Sequence, residues 1–133
     1  MSVETGFVLF LALTVTLLGV VVWTGLGARR RVHLTCVALT VAALGTTIYF
    51  AEKMGRHYDL EAAGAITPVH LALAKLTTLL YLAPLVTGVL TLRDPRWRPR
   101  HRVAAFVVLA LTVATAVTGT WMILAAERLP AVG

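Results

Sequence analysis

The sequence predicts an all-α integral membrane protein: an antiparallel, up-and-down four-helix bundle with both termini on the non-cytoplasmic side. Its mean hydropathy is +0.86. Of its 133 residues, 59% are apolar and 14% are charged, against roughly 25% charged residues in a soluble domain. A spanning helix needs about 20 mostly apolar residues, and four such runs lie at about 6–27, 32–51, 68–92 and 103–126. Because these runs use nearly the whole chain, we predict a single membrane domain over residues 1–133.

The first run is expected to be a retained helix. A secretory signal peptide has a basic start and an apolar core of roughly 7–15 residues, whereas Glu4 precedes a longer apolar run here. The connection 28–31 to the second run is very short, which predicts a helical hairpin. The third run begins at Pro68, since proline is tolerated in a first helical turn. Pro95 and Pro99 are expected to separate the third run from the fourth.

Positive charge is concentrated in the connections that follow the first and third runs. Eight of the twelve Lys and Arg residues lie there: Arg29, Arg30, Arg31, Arg93, Arg96, Arg98, Arg100 and Arg102. Such an excess marks the cytoplasmic face of a membrane protein. We therefore predict a multi-pass protein of the plasma (inner) membrane whose basic connections are cytoplasmic and contact anionic lipids. The net charge of +6 is interpreted as a topology signal, so no nucleic-acid partner is expected.

Enzyme motifs are absent from the sequence. It contains no nucleophile elbow, Walker A loop, Rossmann glycine pattern or pair of catalytic carboxylates, which argues against a hydrolase or an NTPase. The single cysteine, Cys36, excludes an internal disulfide. Whether the protein is an enzyme stays open, and a redox function would be electron transfer.

Four histidines are the main candidate functional residues: His33, His57, His70 and His101. Ionisable residues are rare inside membrane helices and are functional candidates by default. The predicted topology sorts them into an inner pair, His33 and His101, and an outer pair, His57 in the external loop and His70 about one turn into the third helix. At about 1.5 Å rise per residue, most of a membrane thickness separates the two levels.

Helical phase places three of these histidines on faces of small, weakly polar residues. Steps of three and four residues from His33, His70 and His101 meet mainly Ala, Thr and Gly, which membrane helix interfaces favour. The helix directions place Gly88 near the inner histidines and Gly119 near the outer ones. A glycine opposite a histidine leaves room for a flat cofactor or for close approach of a backbone.

Haem b is the cofactor that this pattern predicts, with copper as the alternative, because imidazoles are ligands of both. All four histidines are candidate metal ligands. The cofactor site is also expected to involve Gly88 and Gly119, Lys75 as a counter-charge and Tyr81 as a mid-membrane polar group. Four other interpretations stay open: His57 is solvated in its loop, His101 contacts lipid headgroups, Lys75 extends outward along its aliphatic stem, and Tyr81 is purely structural.

Five short elements carry a family resemblance. They are Arg31-Val32-His33, the run PVHLALA from Pro68 to Ala74, Ala83-Pro84-Leu85, Arg100-His101-Arg102-Val103-Ala104 and Val117-Thr118-Gly119-Thr120-Trp121. Over about residues 31–122 they resemble the CtaM/YozB-type membrane proteins. The resemblance implies a plasma-membrane location and a role near haem-copper cytochrome oxidase, chiefly in its maturation. His33, His70 and His101 match the family histidines, and His57 matches more loosely.

These observations predict a membrane-embedded, His-ligated haem or metal protein that supports the redox chemistry or the assembly of a respiratory oxidase. Its expected partners are the lipid bilayer and oxidase subunits or quinone, and a homodimer is compatible with so small a bundle. Two other classes stay open. One is a non-redox subunit that acts by helix packing alone, and the other is a small membrane enzyme that acts on a quinone or a lipid.

Overall fold

The computed structural model describes residues 1–130 and is almost entirely helical. Its α-helices are α1 (Val3–Leu26), α2 (Arg30–Gly55), α3 (Ile66–Leu80), α4 (Leu82–Arg93) and α5 (Arg98–Ala125). The other elements are short: the 3-10 helices Glu61–Ala63 and Pro95–Trp97, and the two-residue strands β1 (Tyr58–Asp59) and β2 (Glu127–Arg128).

Within the described residues, four segments are long and apolar enough to cross a membrane: Val3–Leu26, Arg30–Gly55, Ile66–Arg93 and Pro95–Ala125. The prediction of an all-α fold with four helical segments of spanning length is therefore confirmed. Large apolar side chains cover their outward faces. Leu79, for example, is 67% exposed and Leu124 is 81% exposed, as expected for helices that are solvated by lipid and not by water.

The helices fall into two compact units. Unit 1 comprises Met1–Tyr58 together with Leu129 and Pro130, and unit 2 comprises Asp59–Arg128. In unit 1, α1 packs along α2, and in unit 2, α3 and α4 both pack on α5. The turn between α1 and α2 contains Ala28 with a φ of 55°, the left-handed conformation that often ends a helix. The single domain expected for the whole chain stays a prediction.

The third spanning segment is interrupted at Tyr81, where the sequence predicts one continuous helix. Pro84 has no amide hydrogen to donate to the carbonyl of Leu80, four residues earlier, and its ring crowds the preceding turn. As a result α3 ends at Leu80 and α4 begins at Leu82.

The other helices extend beyond their predicted bounds. α5 begins at Arg98, several residues earlier than expected, because Pro99 lies in its first turn, where a missing amide costs no hydrogen bond. α2 continues beyond its predicted end to Gly55. α1 begins with Ser2 as its N-cap, and the Ser2 hydroxyl accepts from the Thr5 amide at 3.1 Å.

Threonine hydroxyls supply polar contacts inside both units. In unit 1, Thr14 Oγ1 lies 3.0 Å from Thr47 Oγ1. In unit 2, the hydroxyl oxygens of Thr77 and Thr115 are also 3.0 Å apart. Membrane helices associate through small residues and hydroxyl contacts of this kind, because lipid removes the hydrophobic drive for helix association. Among the described residues, every buried polar side-chain atom has a hydrogen-bond partner.

Candidate functional site

His33 lies near the start of α2, and its ring packs against the end of α1. Its Nδ1 atom is 3.0 Å from the carbonyl oxygen of Val21 and 3.3 Å from Thr24 Oγ1. A carbonyl oxygen can only accept, so Nδ1 must carry the proton. The Thr24 hydroxyl is 2.8 Å from the carbonyl of Val20. Because it donates its own proton there, it can accept a second hydrogen bond from the imidazole.

His101, in the first turn of α5, repeats this arrangement inside unit 2. Its Nδ1 atom is 3.0 Å from the carbonyl oxygen of Pro84 and 3.3 Å from Thr87 Oγ1, both on α4. The Thr87 hydroxyl is 2.6 Å from the carbonyl of Ala83. Nδ1 of His101 therefore also carries the proton, for the same reason as in unit 1.

His70, near the start of α3, is held by α5 in the same way. Its Nδ1 atom is 3.0 Å from Thr118 Oγ1, and the backbone of Thr115 is a further hydrogen-bond partner of the ring. The Thr118 hydroxyl lies 2.9 Å from the carbonyl of Ala114, to which it can donate. In that arrangement the hydroxyl accepts from the imidazole, and Nδ1 carries the proton.

The three imidazoles thus share one tautomer, and we call His33, His70 and His101 the anchored histidines. A neutral ring with its proton on Nδ1 carries its lone pair on Nε2. Histidines that bind metals almost always donate their other N–H to a carbonyl, carboxylate or water, which sets the tautomer and the ring orientation and makes the ligand nitrogen more basic. The anchored histidines are therefore in the chemical state of an axial ligand that binds through Nε2.

A glycine lies opposite each anchored ring. A Cβ atom built on that glycine would come close to a ring Cε1 atom: 3.0 Å for Gly25 and His33, 3.3 Å for Gly88 and His101, and 2.7 Å for Gly119 and His70. The absence of a side chain lets the ring approach the facing helix closely enough for Nδ1 to reach its threonine and its backbone. The sequence places Gly88 and Gly119 where a flat cofactor could fit, and in the structure the histidine rings themselves occupy the space beside these glycines.

The remaining predicted site residues lie in other environments. His57 is exposed in the turn after α2, and its carbonyl accepts from the Leu129 amide at 2.9 Å. Lys75 is exposed on α3. The hydroxyl of Tyr81, at the interruption between α3 and α4, is 2.8 Å from Thr112 Oγ1 of α5, which gives this mid-helix phenol a structural partner. Cofactor roles for these three residues stay predictions.

The histidines do not form one multi-ligand metal centre. Within residues 1–130, no group of three or more His, Cys, Asp or Glu side chains lies close enough together to hold a metal ion. What the fold provides instead is single, oriented imidazoles, each fixed by the helix that faces it.

Reasoning from the sequence misses the residues that do the anchoring. Thr24, Gly25 and Thr87 attract no attention as single residues, and Thr118 appears only in the family resemblance. A signal for all of them does exist, because each threonine directly precedes the glycine that faces a histidine.

No family model, curated protein or solved structure matches the chain. The resemblance to the CtaM/YozB-type proteins therefore stays a prediction that depends on the short elements that carry it. The geometry of the anchored histidines is the observation that indicates a function.

Proposed function

We propose that this chain is a multi-pass plasma-membrane protein that binds haem b through the anchored histidines and supports electron transfer in, or assembly of, a respiratory oxidase. The observation that carries the proposal is the state of three imidazoles in spanning helices. Each donates from Nδ1 to the facing helix, as a histidine that binds a metal through Nε2 does. An axial ligand of haem needs a fixed ring orientation, which an outer hydrogen bond of this kind supplies.

Haem fits this set of donors better than copper does. The porphyrin supplies four ligands to its iron, so one or two protein imidazoles complete the coordination. Copper and zinc sites draw several protein side chains to one point, and no group of three suitable side chains occurs within residues 1–130. Copper, the alternative from the sequence, therefore has less support.

A bound haem would supply a reversible one-electron couple. The chain's own residues would fix the imidazoles and surround them with apolar helices that exclude water, both of which tune a reduction potential. The anchored histidines do not all lie at the same end of their units. His33 and His101 both follow basic connections, whereas His70 lies at the opposite end of its unit.

The decisive measurement is an absorption difference spectrum, dithionite-reduced minus air-oxidised, of the detergent-purified protein, with iron and copper analysis of the same sample. We expect the sharp α-band of low-spin haem, and iron without copper. A pyridine haemochrome assay on that sample gives the haem type, and its haem-to-protein ratio distinguishes one site from two.

A featureless spectrum without iron or copper would contradict the proposal, provided that the cells were supplied with a haem precursor and that no chelator was used. It would favour a subunit that acts by helix packing alone, or an enzyme that acts on a quinone or a lipid. Copper without iron would instead favour the alternative metal.

The proposed orientation makes a separate prediction. In a Cys36→Ala background, we expect Glu61→Cys to react with a membrane-impermeant maleimide from outside the cell and Arg96→Cys to react only in inverted vesicles, because basic connections stay cytoplasmic. Both positions are exposed, and a membrane-permeant maleimide that labels both is the control. The reverse pattern would show that the termini are cytoplasmic.

A further inference from the structure

The Thr-Gly dipeptide occurs four times in this chain: Thr5-Gly6, Thr24-Gly25, Thr87-Gly88 and Thr118-Gly119. In every case a ring from the facing helix lies against the glycine. Three of these rings are the anchored histidines, and the fourth is the phenyl ring of Phe50. Because the same pairing of dipeptide and ring occurs in both units, we interpret it as one recurring structural motif.

In the three histidine cases, the threonine and the glycine have different tasks. The threonine hydroxyl lies 2.6 to 2.9 Å from the carbonyl four residues earlier, so its proton is used within its own helix. Its oxygen then accepts from Nδ1 at 3.0 to 3.3 Å. The backbone group three residues before the threonine also bonds the ring: Val21, Pro84 or Thr115. The glycine clears the space that the ring needs.

The fourth dipeptide also has a facing ring, but the ring is not an imidazole and its threonine is exposed and bonds a side chain instead of a backbone carbonyl. A Cβ atom built on Gly6 would lie 2.5 Å from Cε1 of Phe50, so this ring is in closer contact than any of the histidines. The Thr5 hydroxyl is 2.9 Å from the hydroxyl of Ser2, which is the residue three positions earlier. Phe50 also stacks on Phe10, with ring centroids 5.6 Å apart. A phenyl ring has no N–H group, so the Phe50 ring fills the space beside Gly6 but donates no hydrogen bond.

We propose that the Thr-Gly dipeptide is an imidazole anchor that sets the Nδ1–H tautomer, and that the fourth anchor accepts an imidazole in place of the Phe50 ring. The threonines of the three histidine-bearing anchors are positioning residues: Thr24, Thr87 and Thr118. The tautomer is a property of the protein without cofactor. Only the consequence for haem rests on the proposed function.

One consequence concerns the number of ligands. The ends of the units next to the basic connections have two anchored histidines, one in each unit, whereas the opposite ends have His70 in unit 2 and Phe50 in unit 1. Two six-coordinate haems with only anchored ligands would require four such histidines. Because Phe50 is not a ligand, the natural chain has three anchored ligands and not four.

The test is ¹⁵N–¹H correlation spectroscopy of the histidine rings in the detergent-solubilised full chain without haem, with each ring assigned by a His→Gln variant. We expect three rings in the Nδ1–H tautomer and His57 in the solvent-averaged mixture. Thr118→Val should remove the Nδ1–H pattern of His70, and Thr118→Ser should keep it. Thr120→Val is the matched control, because Thr120 is exposed on the same helix and bonds only its own backbone at 2.8 Å.

A His70 ring that keeps its Nδ1–H tautomer in Thr118→Val would overturn the role of the threonine. If haem binds, the same variant should bind it about 10- to 100-fold more weakly, as is typical when the outer partner of a ligand is lost. The absence of haem would contradict the proposed function and leave the tautomer result unaffected.

Phe50→His tests the fourth anchor. We expect one additional ring in the Nδ1–H tautomer, whereas Tyr49→His, at a neighbouring position that is 52% exposed, should give a solvent-averaged ring. If the two new histidines behave alike, the fourth dipeptide is not an imidazole anchor. Circular dichroism of both variants checks that the helices are intact.

Discussion

Gly119→Ala is expected to displace the His70 ring and to remove most of the haem that we propose to be bound through it. The new methyl group would lie 2.7 Å from Cε1 of the ring, closer than non-bonded carbon atoms approach each other. The ring cannot simply rotate away, because its Nδ1 atom is held by Thr118 on the same helix turn. Overpacking of this kind costs about 1–3 kcal/mol, which corresponds to roughly 5- to 150-fold in an equilibrium constant.

The glycines provide a graded series for this experiment. A Cβ atom built on the glycine would lie 3.0 Å from the ring Cε1 atom at Gly25 and 3.3 Å from it at Gly88. The loss of bound haem on substitution by alanine should therefore decrease in the order Gly119, Gly25, Gly88. Gly45→Ala is the matched control, since a Cβ atom there would meet nothing within 4 Å. Haem content per protein and the thermal unfolding midpoint are measured for each variant. Equal losses at all four positions would show that the histidine contacts are not the cause.

Removal of an anchored imidazole should have an equally large effect. We expect His33→Ala, His70→Ala and His101→Ala each to abolish low-spin ligation at one iron. The loss should exceed the 10- to 100-fold that follows from removing only a partner of a ligand. His57→Ala should keep the haem content of the wild type, because this residue is exposed and its ring is not held by a Thr-Gly dipeptide.

The measurement is the amplitude of the α-band per protein, together with low-temperature electron paramagnetic resonance, which separates low-spin from high-spin iron. Added imidazole should restore low-spin signal in the three alanine variants, since it replaces the missing ring in the space left behind. A spectrum that is unchanged in His33→Ala and altered in His57→Ala would contradict the assignment of ligands to the anchored histidines.

The fold class and the spanning segments could be predicted because their causes are local. Four runs of apolar residues are long enough to cross a bilayer, and a hydrogen-bonded helix is the simplest way to satisfy backbone groups there. The interruption at Tyr81 is not predicted, although its cause is local as well: Pro84 has no amide to donate to the carbonyl of Leu80. α5 begins early, at Arg98, because the missing amide of Pro99 is harmless in a first turn.

The candidate site could be predicted only in part. The period of 3.6 residues identified the faces that carry His33, His70 and His101, because position along one helix sets the direction of a side chain. The same reasoning placed Gly88 and Gly119 at the depth of histidines. It could not say that each glycine would touch a ring, because that contact depends on the rotation and spacing of two helices.

The helical class, the spanning segments and the faces on which the histidines lie follow from the sequence, because hydropathy and helical period act within one segment. The packing of the helices is needed to show that Nδ1 of each imidazole donates to Thr24, Thr87 or Thr118, and that Phe50 lies against the fourth dipeptide. These are contacts between residues on different helices. They form only where a glycine, which has no side chain, lets two helices pack closely, and this packing depends on both helices.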